Sequence, residues 1–134
     1  MYTAIFFDKE TNKELDRLYK ENHFLLHHIS IMIRDSWTRI EREERHVTLW
    51  MGDCPNEYKG KFVSVIVDAI GMNEKAVAFR VKPEFGAALS KNATPHITLS
   101  VNRGIGGKPY DSNFITEWVE IHPFQIEGEI REHE

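Results

Sequence analysis

Two segments of the chain echo each other: His46-Val47-Thr48-Leu49-Trp50 and His96-Ile97-Thr98-Leu99-Ser100. Each alternates polar and apolar residues with a period of two, the period of a β-strand, in which successive side chains point to opposite faces. Val47, Leu49, Ile97 and Leu99 therefore predict a face buried in a core. His46, Thr48, His96 and Thr98 predict a second face carrying imidazoles and hydroxyls. Two such strands side by side would present both imidazoles to one cleft, a set suited to acid–base chemistry on a phosphodiester.

The 134 residues make one domain of ordinary size, and 41% hydrophobic with 28% charged residues suffices for a core and a soluble surface. The net charge of −4 argues against a broad basic face for duplex DNA but leaves room for a small phosphate-bearing ligand in a local pocket. With Cys54 alone, no intrachain disulfide can form, which fits a reducing compartment. The opening Met1–Lys13 has no basic region ahead of an apolar stretch, and no apolar run approaches the roughly 18 residues of a membrane helix. The expected location is cytoplasmic, with no membrane partner.

Along the chain, Tyr2–Phe7 reads as a strand. A helix is predicted over 12–21, capped by Thr11 with Glu14 three residues on. Residues 23–45 fit two patterns, an alternation Ile29, Ile31, Ile33 and a helical stripe Leu26, Ile29, Ile33, Trp37, Ile40. Length and the polar run Glu41–Glu44 favour mostly helix after residue 34, with that run as its solvated face. Strands are predicted over His46–Met51, Phe62–Val67, Ala76–Val81 and His96–Val101, with Phe124–Ile130 as a final edge strand and Arg131–Glu134 frayed. A loop covers Cys54–Gly60, a short helical turn Phe85–Leu89, and a Gly-rich loop Arg103–Asn113. Strands outnumber helices, so the predicted class is α+β with a largely antiparallel sheet.

These landmarks resemble the 2H phosphoesterase superfamily, named for its two His-x-Thr/Ser motifs, and within it the "Swiss army knife" RNA-repair-like domains. The resemblance runs through most of the chain: the opening strand and Asp8, His46-Val47-Thr48-Leu49 followed by Gly52, the Gly60-led strand, Asn73–Ala78, Pro95-His96-Ile97-Thr98-Leu99-Ser100, and Gly107-Lys108-Pro109-Tyr110-Asp111-Ser112-Asn113, like that subgroup's Lys-Pro…Ser-Asn loop. The chain departs from the subgroup in having Arg45-His46 where His-His is common, and in a longer stretch before His46. A rival first motif lies in that stretch, His27-His28-Ile29-Ser30. His46 is preferred because Gly52 and the following strands fall where the family has them. The resemblance implies a two-lobed fold in which two antiparallel sheets flank a central cleft, with helices outside.

It also implies a metal-free phosphodiesterase without cofactor, acting on a nucleotide or short RNA that bears a 2′,3′-cyclic phosphate. Histidine suits both proton transfers because its unperturbed pKa is about 6.5. His46 and His96 are the candidate acid–base pair, in roles the sequence leaves open, and Thr48 and Thr98 the candidate phosphate-holding hydroxyls. Trp50 shares the parity of His46 and Thr48 and is a candidate wall of the cleft. Arg103 and Lys108 are candidate phosphate contacts, and Tyr110 a candidate stacking surface for a base. Alternatives are a module that binds nucleotide or RNA phosphate without turnover, or an enzyme that degrades cyclic nucleotide signals. His23 and His27, four residues apart, lack an evident third ligand, so no metal site is assigned. Cys54, with no basic neighbour before Lys59, reads as a structural thiol.

Overall fold

The computed structural model describes residues 1–26 and 36–134. The rival motif His28-Ile29-Ser30, and with it His27, lies outside the described residues. The elements are β1 (Tyr2–Phe6), α1 (Lys9–Asn22), β2 (Trp37–Arg39), β3 (His46–Met51), β4 (Phe62–Met72), β5 (Ala76–Val81), β6 (His96–Asn102) and β7 (Trp118–His133), with short 3-10 turns between them. The class is α+β, mostly strands with one α-helix among the described residues.

Every strand pairing is antiparallel, and the sheet closes on itself as a β-barrel: β6 lies beside β3, β3 beside β1, β1 beside β7, β7 beside β4, β4 beside β5, and β5 returns to β6. The short β2 adds to the same edge of β6 further along, pairing Trp37 with Asn102 and Arg39 with Ser100. The layout of two separate sheets is not what the strands form. The reason is β7, whose 16 residues pair with β1 along one edge and with β4 along the other. The junction between the two motif-bearing strands is thin, a single pair, Val47 with Ile97.

The alternation predicted for β3 and β6 holds. Val47, Leu49, Ile97 and Leu99 enter one hydrophobic core with Ile5, Val65, Val67, Phe79 and Ile130, and Leu15 and Leu18 of α1 join it. Helix α1 begins earlier than its sequence suggests. Asp8, in extended conformation, accepts the Thr11 N–H at 2.7 Å and is the N-cap in place of Thr11.

Three other predictions are corrected. The alternation Ile29, Ile31, Ile33 lies outside the described residues, and residues 36–45 are not mainly helix: β2 takes its backbone hydrogen bonds from β6, and the charged run becomes one 3-10 turn at Arg42–Glu44. β4 continues past Val67, because Asp68 sits at a register shift and its carboxylate receives a fork from Arg80 at 2.9 and 3.2 Å, so the charge does not end the strand. The last strand is interior, not an edge, and its expected frayed end is paired, Arg131 with Ala4 and His133 with Tyr2. Gly128 permits this close join, since a Cβ there would come within 2.5 Å of the Ile5 side chain and 2.7 Å of the Phe6 carbonyl oxygen.

Candidate active site

The polar face of β3 and β6 opens into a cavity of about 710 Å³, within the range of small-molecule sites. His46, Thr48 and Trp50 reach it from β3, and His96 and Thr98 from β6. Arg103 and Tyr110 line it from the turns after β6. Lys108 is the sequence-predicted residue that does not line it: its side chain is exposed, and its backbone N–H donates to Asp111 Oδ2 at 2.8 Å.

The two histidines are held alike. His46 Nδ1 lies 2.6 Å from the carbonyl oxygen of Glu44, and His96 Nδ1 lies 2.9 Å from that of Thr94. Each contact spans two residues, from the first position of a strand back to the approaching chain. A carbonyl only accepts, so both Nδ1 atoms carry the proton and donate it. Each Nε2 is then a lone-pair nitrogen with no hydrogen-bond partner among the described residues. The repeated motif is thus a repeated geometry, which fixes the tautomer and anchors one ring atom at two points of one cavity.

Both imidazoles have pKa values below the usual histidine value. For His46 burial is the main cause, the Glu44 carbonyl opposes it, and the nearby His96 and His133 reinforce it. For His96 burial lowers the value against its bond to the Thr94 carbonyl. His96 is only 8% exposed.

The threonines differ. Thr48 lines the cavity, and its carbonyl accepts the Ser90 hydroxyl at 2.7 Å. The Thr98 hydroxyl lies 2.8 Å from Ser112 Oγ and donates to the Pro109 carbonyl at 3.3 Å. Ser112, 1% exposed, therefore ties the Lys108–Asn113 loop to the second motif. Ser112 belongs to the Lys-Pro…Ser-Asn loop motif, but nothing in the sequence alone assigns it a partner. The Asn102-to-Gly107 turn holds the same loop from its other end. Gly106 adopts φ +75°, and Gly107 donates to the Asn102 carbonyl at 2.7 Å.

No protein family, curated protein or solved structure compared with the chain matches it.

Sequence reasoning missed several cavity residues. Tyr2 lines it from β1, and its ring lies 5.0 Å from that of His46. The parity Tyr2, Ala4, Phe6 was the available signal, but it gains meaning only once β1 is known to lie beside β3. Arg39 and Lys91 add positive charge to the wall and Glu41 and Glu44 negative charge. The Trp50 indole N–H donates to the Asp53 carbonyl at 2.8 Å, which holds its ring at the cavity edge.

The approach to His46 is anchored through its neighbour. Arg45, 2% exposed, meets Asp16 of α1 at 2.8 Å, and Arg42 reaches the same carboxylate at 2.6 Å. Burial raises the Asp16 pKa, but hydrogen bonds and charge from Arg45 and Arg42 outweigh it, and the carboxyl stays below its usual range. The Arg45-His46 pair thus divides labour by strand parity, with arginine toward the helix and imidazole toward the cavity. Cys54 is buried, with its thiol 3.6 Å from the Pro55 carbonyl, as a structural thiol would be.

Proposed function

We propose that the chain is a metal-independent phosphodiesterase of the 2H kind, hydrolysing a 2′,3′-cyclic phosphate on a nucleotide or short RNA. The observation that carries this reading is the matched pair of imidazoles lining one cavity, each anchored through Nδ1 and each leaving Nε2 unbonded. In the reaction, one Nε2 takes a proton from water as its oxygen bonds to phosphorus. The other, protonated, gives its proton to the ribose oxygen as the phosphorus–oxygen bond to it breaks. The product is a phosphomonoester. Thr48 and Arg103 are placed to hold non-bridging oxygens, and Trp50 and Tyr110 to meet a base. Thr98 works through the loop it fastens. The lone buried thiol suits a reducing, cytoplasmic setting.

The test is turnover of the four 2′,3′-cyclic mononucleotides with EDTA present. Wild type should turn over at least one of them, with His46→Ala and His96→Ala each reduced about 100-fold or more and folding intact by circular dichroism. His28→Ala should retain turnover. Loss in His28→Ala with His46→Ala unaffected would transfer the first motif to His28. Tight binding of cyclic and linear nucleotides without turnover would make the protein a binding module.

A further inference from the structure

The ring of Tyr2 is seated between two imidazoles. Its centroid is 5.0 Å from that of His46 on β3 and 5.2 Å from that of His133 on β7, the latter stacked at 26°. Phe6, two strand repeats along β1, stands in the same relation, 5.4 Å from His46 and 5.7 Å from His133. The guanidinium of Arg131 lies over the Phe6 ring, 4.7 Å from its centroid. Three adjacent strands thus contribute a continuous stack of rings whose inner member is the cavity imidazole of His46. His96 has no ring contact of this kind among the described residues.

We infer that Tyr2 and His133 are positioning residues for His46: His133 holds the Tyr2 ring, and Tyr2 holds the plane of the His46 imidazole so that Nε2 stays aimed into the cavity. The reasoning is mechanical. One hydrogen bond, Nδ1 to the Glu44 carbonyl, fixes a point of the imidazole but leaves the ring free to rock about it. Two aromatic faces, Tyr2 and Phe6, remove that freedom. Ring pairs at 4.5–7 Å are attractive beyond their buried area, and a reacting group displaced by about 1 Å loses on the order of 100-fold in rate. His133 is held in turn by its Nδ1 bond to the Glu134 oxygen at 2.9 Å. It does not line the cavity, so its influence on a bound ligand passes through Tyr2. Titratable groups face His46 from every side: Tyr2 from β1, Glu44 from the preceding turn, His96 from β6 and His133 from β7. The stack also keeps water from the imidazole, and burial is the main cause of its lowered pKa.

The inference rests on the proposed acid–base role of His46 but is read first without activity. His46 is followed by NMR of its ring protons during a pH titration, in wild type and in Tyr2→Phe, Tyr2→Ala, His133→Phe and His133→Ala. The two aromatic replacements should leave the His46 ring signals sharp; Tyr2→Phe should also keep its titration close to that of wild type, and His133→Phe should differ from wild type only by the lost His133 charge. The two alanine replacements should broaden or shift the signals and move the titration midpoint up toward about 6.5, as water reaches the ring. In turnover, His133→Ala should lower kcat about tenfold with KM within about twofold, and His133→Phe should restore it. Unchanged His46 signals and midpoint in both alanine variants would overturn the inference, whatever the activity. A normal NMR response with no turnover in wild type would instead count against the phosphodiesterase reading alone. Any one variant that fails to fold leaves the other alanine variant to decide.

Discussion

Burial lowers the pKa of both His46 and His96, and the direction of that shift sets two pH dependences. The unfolded chain binds protons on these residues near pH 6.5, whereas the folded chain does so only at lower pH. Between the folded value and about 6.5 the unfolded state holds more protons, so stability rises with pH through that window and levels off above it. Urea unfolding should give a larger free energy at pH 7.5 than at pH 5, with the fall setting in below about pH 6.5. The slope should be shallower in His96→Gln. Asp16 does not confuse this window, because its lowered pKa places its own loss at more acid pH. Under the proposed two-histidine mechanism the free protein must hold one imidazole protonated, so kcat/KM should decline as pH rises above about 6.5. A profile still rising at pH 8 would count against two depressed histidines acting as acid and base. At this scale the sequence was most readable where parity alone decides. His46, Thr48, Trp50, His96 and Thr98 follow from alternation, and all line the cavity. Ser112 and Tyr2 were unreadable because their importance depends on partners, Thr98 at 14 residues' separation and His46 across a strand pair.

Elements were legible in existence more than in extent. β3 and β6 carry clean alternation and β5 is a short apolar run between turn residues, and all three lie where the pattern places them. The pattern Phe62–Val67 predicts only part of β4, and the alternation Phe124, Ile126, Gly128, Ile130 predicts only part of β7 and places it at an edge, because the pairings that extend both strands are made with distant segments. Helix α1 is tied to the site by the Asp16–Arg45 pair. Asp16→Asn should destabilise the fold by roughly 3–5 kcal/mol, since it leaves the buried Arg45 guanidinium uncompensated. This can be measured by chemical denaturation. The loop after β6 depends on Gly107, where an added Cβ would come within 2.5 Å of the Lys75 carbonyl oxygen and 2.7 Å of the Asn102 backbone. Both obstacles are backbone and cannot swing aside. Gly107→Ala should therefore displace the segment that carries Ser112 and Tyr110, lowering kcat/KM on cyclic nucleotides about tenfold or more while leaving the far-UV circular dichroism of the sheet near that of wild type.

Closure of the sheet is a property of the whole molecule and was not legible locally. It requires β5 to return to β6 and the 16-residue β7 to bridge β1 and β4, pairings set by registers between distant segments. The residues that seal it are apolar on one face throughout, which the composition permits but does not order. Because one core collects side chains from all six strands of the ring, unfolding should be a single transition. The midpoints from far-UV circular dichroism and from tryptophan fluorescence should coincide, with Trp50 at the cavity and Trp118 on β7 reporting on opposite parts of the ring. Two separated midpoints would mean that the halves meeting at the thin Val47–Ile97 junction unfold independently. The central claim is that this closed sheet brings two imidazoles to one phosphate. The most direct measurement is a crystal structure with the nucleoside phosphomonoester product bound. The account predicts the phosphate between His46 and His96, with each Nε2 about 3 Å from a phosphate oxygen and each Nδ1 still on its carbonyl. A phosphate bound away from either ring, or held by His28 in place of His46, would contradict it.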